Sequence, residues 1–274
     1  MSHRNIAILI DGGFFLKRLP KLVNADGCDT VTKIADCIRR MCKQHIRSLT
    51  GDSNRQWQQH VYRIFFYDAL PYDGKAHHPI DNRAIDFSKS DVARQRHELF
   101  DALRKQRKVA LRLGKVNKDS DWTINPKYTK KLLKTREWLS ALDQIPSPEG
   151  NSMPEETNLT LSPEQTQSLL KLRDLWDTLD GGTVSLGLRQ KGVDMRIGID
   201  IASLTLKQQV DTIILVAGDS DFVPAAKMAR REGIEFILDP LWQEVNADLF
   251  EHIDGLQSGL PKPGTRTPPQ ELKE

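Results

Sequence analysis

The sequence predicts an α/β fold: a central, mostly parallel sheet of about five strands, helices on both faces, and an inserted helical and loop segment. Three observations carry this expectation. First, Asp211–Asp221 (DTIILVAGDSD) runs five apolar residues, Ile213–Ala217, into Gly218. An apolar run of this kind, rich in β-branched residues and closed by Gly, reads as a central strand of a parallel sheet covered on both faces. Second, shorter apolar runs recur at Asn5–Ile10, Val61–Ala69, Val109–Val116 and Ile234–Leu238, with stretches of helical spacing between them. Third, separate segments set down acids where they end, and in open α/β sheets ligands bind beyond the carboxyl ends of the strands.

Taken in order, Asn5–Ile10 (NIAILI) is the first strand and stops at Asp11-Gly12-Gly13. Asp11 is then either a ligand-facing acid at the sheet edge or the N-cap of the helix that begins near Phe14, a position Asp favours in any case. No GxGxxG follows Gly12 and Gly13, so they are no dinucleotide fingerprint and instead allow tight backbone approach. Val31–Leu49 places Ile34, Ile38, Met41 and Ile46 at near-helical spacing, and Gly51–Arg55 makes a polar break. Val61–Ala69 (VYRIFFYDA) is an aromatic and β-branched strand ending at Asp68. Pro71–Ser90 is loop-like, and its His77-His78 pair is expected to be solvated. Asp91–Arg107 is a helix with a basic face, followed by the strand Val109–Val116, where Gly114 suggests a bulge or a close approach.

Asn117–Lys134 mixes Lys with Trp122 and Tyr128. That combination suits gripping a single strand by charge and stacking, or else is a surface excursion with its aromatics tucked beneath it. Pro146–Pro163, with four prolines among Ser, Glu, Asn and Thr, reads as a flexible insertion. Ser162 is the N-cap of a further helix with Pro163 at its first position, ended by Gly181-Gly182. The whole insertion, about 117–183, is long enough to form a lid or a partner-binding arm. In Met195–Leu206 the apolar residues Met195, Ile199, Ala202 and Leu206 share one face and Ile197, Ile201 and Leu204 the next, which predicts a helix buried against the sheet. Asp194 stands in its first turn. Asp200 lies inside it, about 120° further round the axis, where an acid is costly unless it finds a partner. Phe222–Arg231 and Val245–Ile253 are helices flanking the last strand, and Gly259–Glu274, with four prolines, is expected to be a disordered tail beyond a domain of residues 1–257.

The totals limit the function classes. With 274 residues, 38% hydrophobic and 28% charged, the chain suits one large or two small globular domains. Its apolar runs are too short to span a bilayer and its first ten residues lack a secretory signal, so a cytoplasmic location is expected. Cys28, Cys37 and Cys42 contain no CxxC pair and read as reduced thiols. The net charge of +3 conceals opposed blocks. Arg94–Arg136 holds fourteen Lys/Arg against four Asp/Glu, a balance of +10, and Glu137–Asp180 holds nine acids against two bases, a balance of −7. The basic block is either a polyanion-binding face or a solvated surface.

Asp11, Asp194 and the pair Asp219/Asp221 belong to distant segments that parallel-sheet topology would bring to one edge. Several carboxylates in one crevice are best explained by bound Mg²⁺ or Mn²⁺, an arrangement that serves phosphodiester hydrolysis. The basic block beside it, including the alternating Arg112 and Lys115 of the third strand, would hold a nucleic-acid backbone.

Ile10-Asp11-Gly12-Gly13-Phe14 after a first strand, Lys191-Gly192-Val193-Asp194 opening a helix, and Ala217-Gly218-Asp219-Ser220-Asp221-Phe222 after a strand resemble, in this order, the three signatures of the NYN domain in its LabA-like branch. That family belongs to the PIN-like superfamily of metal-dependent nucleases. The resemblance covers most of residues 5–117 and 183–253. It implies a three-layer Rossmann-like sheet and metal-binding, catalytic roles for Asp11, Asp194, Asp219 and Asp221, with Asp200 auxiliary. It further implies a Mg²⁺- or Mn²⁺-dependent nuclease acting on RNA rather than DNA; in such an enzyme the charge of Lys191 and the hydroxyl of Ser220 are expected to contact the scissile phosphate, and Arg112 and Lys115 of the basic block the substrate. The chain departs from the family pattern in carrying Gly13 and Phe14 where many members have Asn. A nucleic-acid-binding module without turnover is the competing expectation, and the insertion is the candidate surface for a protein partner or self-association. Phosphotransfer at the same edge is disfavoured, since one common class needs an acid where Gly13 stands.

Overall fold

A computed structural model describes residues 4–51, 56–145 and 158–264. Most of the expected flexible stretch 146–163, part of the polar break before residue 56 and the tail from residue 265 lie outside the described residues. Along the chain the strands are β1 (Ile6–Asp11), β2 (Val61–Leu70), β3 (Lys75–His77), β4 (Ala84–Asp86), β5 (Val109–Ile124), β6 (Val184–Lys191), β7 (Thr212–Val216), β8 (Glu235–Asp239) and β9 (Gly255–Leu256). The α-helices are α1 (Gly12–Leu22), α2 (Val31–Thr50), α3 (Asp91–Arg104), α4 (Pro126–Leu133), α5 (Pro163–Asp177), α6 (Val193–Leu206), α7 (Val223–Arg231) and α8 (Ala247–Glu251). The chain forms two compact units: Met1–Gly74, Asp86–Asn117 and Arg189–Glu274 make the first, and Lys75–Ile85 with Lys118–Leu188 the second.

A seven-stranded sheet runs in the order β6-β5-β2-β1-β7-β8-β9, two strands more than expected. The pairings of β1 with β2 and β7, β2 with β5, and β8 with β7 and β9 are all parallel. The two additional strands are β9, only two residues long, and β6, whose alternating Val184, Leu186 and Leu188 have the period of a half-buried strand. Strand β5 also continues through Asn117–Thr123 despite its polar composition, because ladder partners override weak local propensity.

In the first unit, apolar side chains leave both faces of the sheet. Ile8, Ile10, Phe66 and Ile214 pack with Phe15, Leu19, Ile38, Met41 and Phe100 on one side, and Leu9, Tyr67, Leu215 and Phe236 pack with Ile197, Ile201 and Ala226 on the other. Each large side chain removed from water contributes roughly 1.5–3 kcal/mol. The result is three layers, helix on sheet on helix. Helix α6 is buried on one face only: Ile197, Ile201 and Leu204 face the sheet, whereas Met195, Ile199 and Leu206 are 71%, 59% and 66% exposed. Apolar composition on both faces does not require cover on both.

The C-terminal stretch also differs from expectation. Its start is packed, with Leu260 buried and the Gly259 N–H donating to the Asp239 carboxylate at 2.9 Å, while residues 261–264 are exposed. In the second unit, Ser162 caps α5 through a capping box with Gln165, as its sequence position implies. His78 is buried there instead of solvated, with its ring edge-on to Trp122 at 5.2 Å. An edge-on contact between a loop histidine and a strand tryptophan is invisible to a polar-loop reading, and it favours the tucked arrangement of Trp122.

Candidate functional site

The parallel register brings strand ends level. Ile10 of β1 pairs with Val216 of β7, and Asp11 with Tyr67 of β2. The chain beyond these positions therefore emerges along one edge of the sheet. Two glycines let the acid-bearing segments close up. A Cβ on Gly218 would stand 2.5 Å from the Phe14 ring, and one on Gly114 would stand 2.5 Å from the Lys191 carbonyl oxygen. The first approach sets the Asp219 turn against the start of α1. The second sets the Asp194 turn against β5, the close approach that Gly114 suggested.

Asp11 takes the N-cap role considered for it. Its carboxylate accepts the Phe14 N–H at 3.0 Å as the N-cap of α1, and it faces other acids. Burial, helped by the charges of Asp194 and Asp68, pushes its carboxyl up to about 6 against the pull of the Phe14 N–H. The Asp194 carboxyl is raised by partial burial and by the charges of Asp219 and Asp221. Asp219 caps the short turn after β7 by accepting the Asp221 N–H at 3.1 Å. Ser220 between them is half-buried, and Lys191 and Lys115 are exposed. Repulsion thus links Asp11 to Asp194, and Asp194 to Asp219 and Asp221.

Asp68 joins this edge. It is buried at the end of β2, ion-paired to Arg96 of α3, and accepts the Gln190 side-chain amide at 3.1 Å. Burial raises its carboxyl, while Arg96, the Ala69 N–H and Gln190 pull it back. The sequence held the signal, an Asp closing a strand next to β1, but not the pairing with Arg96. Asp200 and Arg112 are engaged with each other at 2.9 Å. Asp200 also accepts the Tyr67 hydroxyl at 2.8 Å, and the Arg112 guanidinium lies 5.0 Å over the Phe65 ring. Burial and the Asp200 charge raise the Tyr67 phenol, so it remains a donor. This is the partner that an acid inside an apolar helix requires, and it ties α6 to β2 and β5.

The donors are hard carboxylate oxygens, the set Mg²⁺ and Mn²⁺ prefer. Among the described residues, the group of three or more donors lying within 4.8 Å of one another is Asp248, Glu251 and His252. These are neighbours on and just past the one-turn helix α8, so helical spacing accounts for their proximity. No three of Asp11, Asp194, Asp219 and Asp221 come that close. Mg²⁺ is usually held by one or two carboxylates and keeps several waters, so a site for it does not require three of these acids within 4.8 Å.

The raised Asp11 carboxyl has a measurable consequence in chelator. Because the folded protein holds this proton more tightly than the unfolded chain, stability is greatest below the ordinary value of 3.8 and is lost as pH rises through about 6. The shift corresponds to about 3 kcal/mol at most. Urea unfolding at pH 5 and 7.5 in EDTA should show the Asp11→Asn variant gaining on the parent at the higher pH; an equal offset at both would assign the repulsion elsewhere.

The family model for the NYN domain matches residues 176–249. The match spans Lys191, Asp194, Asp200, Asp219, Ser220 and Asp221, and leaves Asp11, Arg112 and Lys115 outside it. No curated protein matches the chain. A crystal structure of a protein of unknown function from Vibrio parahaemolyticus is similar at 13% identity over 93% of each chain, with a TM-score of 0.36. Among the described residues, no helix is long and apolar enough to cross a membrane.

Proposed function

We propose, on the premise that this chain carries an NYN domain and with it a PIN-like nuclease fold, that it is a divalent-metal-dependent nuclease hydrolysing phosphodiester bonds of RNA. One observation carries the reading: acids at the end of β1, in the turn after β7 and at the start of α6 come to one edge, where Asp194 adds to the burial that raises Asp11, and Asp219 and Asp221 add to the burial that raises Asp194. Like charges kept together against their repulsion are accounted for by a cation.

Asp11, Asp219 and Asp221 would hold Mg²⁺ or Mn²⁺, with Asp194 completing the set. The bound ion supplies a water activated at neutral pH and offsets charge on the leaving oxygen. The chain's own groups do the rest. Lys191 neutralises the scissile phosphate, Ser220 donates a hydrogen bond to it, and Lys115 holds the backbone beside it. Arg112 and Asp200 enter as a positioning pair that fixes α6, and with it Asp194, on the sheet. The LabA-like branch rests on the order of the three motifs, and residues 117–183 are the surface for a protein partner or self-association.

The test is cleavage of labelled single-stranded and duplex RNA and DNA with Mg²⁺, Mn²⁺ or EDTA. RNA cut only when an ion is present is the expected result; RNA and DNA left intact with both ions would overturn the reading. The second reading is a nucleic-acid-binding module without turnover. It is favoured by the absence of any three of the four carboxylates within 4.8 Å of one another, and binding without cleavage across the same panel would establish it.

A further inference from the structure

Beside the end of β8 lies a groove of about 670 Å³ lined by Pro240, Trp242, Gln243, Leu256, Gln257 and Lys262, among others. Its wall is an unusual turn. The Gln243 N–H donates to the Pro240 carbonyl at 2.9 Å, and the two central residues, Leu241 and Trp242, have φ of 48° and 61°. A hydrogen-bonded turn with both central φ positive is the kind that Asn and Gly normally fill, because a bulky residue is strained there. Leu241 is compensated by complete burial. Trp242 is not, since it remains 44% exposed.

What Trp242 has instead is a fixed orientation. Its indole N–H donates to the Leu260 carbonyl at 2.8 Å and its backbone N–H to the Ser258 hydroxyl at 3.3 Å. Arg18 of α1 and the Asp239 carboxylate hold Leu241 from either side, at 2.7 and 2.8 Å. With its one polar atom satisfied internally, the ring offers the groove a pre-set π face. Internal contacts spent on holding a strained, half-exposed tryptophan in one orientation point to a use outside the core.

The surroundings narrow the ligand. Lys262 and Glu244 both line the groove, one charge of each sign, so it has no cationic excess to cradle a phosphate. Gln243 and Gln257 supply amides that can donate and accept, and a flat π face flanked by amides is the chemistry that takes an unpaired base. The position fits as well. Asp239 is in register with Val216, which leads through Gly218 to Asp219, so the turn begins one strand away from the acidic edge.

We propose that Trp242 stacks a nucleobase of a single-stranded nucleic acid laid along the C-terminal edge of the sheet, which makes the protein selective for unpaired strands. The proposal rests on reading that edge as a nucleic-acid site, and its test separates the two. Full-length parent, Trp242→Ala, Trp242→Phe and Trp242→Leu are titrated in EDTA, where nothing is cut, against labelled oligo(U), oligo(dT) and a duplex.

Trp242→Ala should weaken single-strand binding about ten-fold or more and leave duplex binding unchanged, and Trp242→Phe should stay within about three-fold of the parent. If the Ala variant does not fold, Phe against Leu carries the test, since Leu keeps the apolar bulk and loses the π face. A difference between oligo(U) and oligo(dT) would report a contact to the sugar and leave the stacking assignment intact. Equal single-strand affinity in parent, Ala and Leu variants overturns the proposal. So does a changed elution volume with unchanged affinity, which would make the groove a contact between copies of the chain. A parent that binds through Trp242 yet never cleaves with either ion defeats the nuclease reading alone; one that cleaves with Trp242 immaterial defeats only this proposal.

Discussion

Asp219→Asn should lower metal-dependent cleavage by about a hundred- to a thousand-fold while leaving the fold and nucleic-acid affinity in place, since removing one group that meets developing charge commonly costs 10²–10³. The substitution is clean because Asp219 has two separable roles. As a cap it accepts the Asp221 N–H at 3.1 Å, which the Asn carbonyl can also do. As a charge it belongs to the group that raises the Asp194 carboxyl, and Asn removes that charge. Single-turnover cleavage with enzyme in excess reads the first consequence. A variant that cuts as fast as the parent would move the chemistry away from the turn after β7.

The second large effect is on stability. Gly12→Ala should destabilise the protein by about 3 kcal/mol, the upper end of what overpacking a well-filled site costs. Its Cβ would stand 2.6 Å from the Tyr67 carbonyl oxygen and 2.7 Å from the Phe66 ring. Neither can retreat, since both residues are fully buried in β2 between two helical layers. Gly13→Ala is the control: its nearest neighbours would be the side-chain oxygens of Asp11 and Gln190 at 3.4 Å, an ordinary contact. Urea unfolding of both variants should separate them by well over 1 kcal/mol. Equal losses would mean that the Asp11 turn tolerates a side chain at either position and is not held by close packing on β2.

Much of the fold was legible because the apolar runs at residues 5–10, 61–69 and 213–217 are long and β-branched, and runs of that composition have few alternatives once each is closed by Gly or Asp. The same runs named Asp11 and Asp219, since an acid at a strand end needs only the strand to be placed. Asp194 was legible from its position in the first turn of a helix. Asp68 was visible as a residue but not as a member of the group, because its burial and its pairing with Arg96 depend on α3 packing beside β2. Nor could the sequence show that Arg112 and Asp200, 88 positions apart, satisfy each other.

Local pattern determined which segments are strands, which are helices and where each would leave an acid, because backbone geometry converts spacing along the chain directly into a face or an end. It could not determine what covers each face. Met195 and Ile197 are both apolar and two positions apart, yet one is 71% exposed and the other fully buried. Likewise nothing local makes Leu241-Trp242 a turn; the strain is tolerated only because Asp239, Arg18, Ser258 and Leu260 hold it from elsewhere in the chain. Tertiary structure alone decided these, since the energies that fix them come from contacts between residues far apart in sequence.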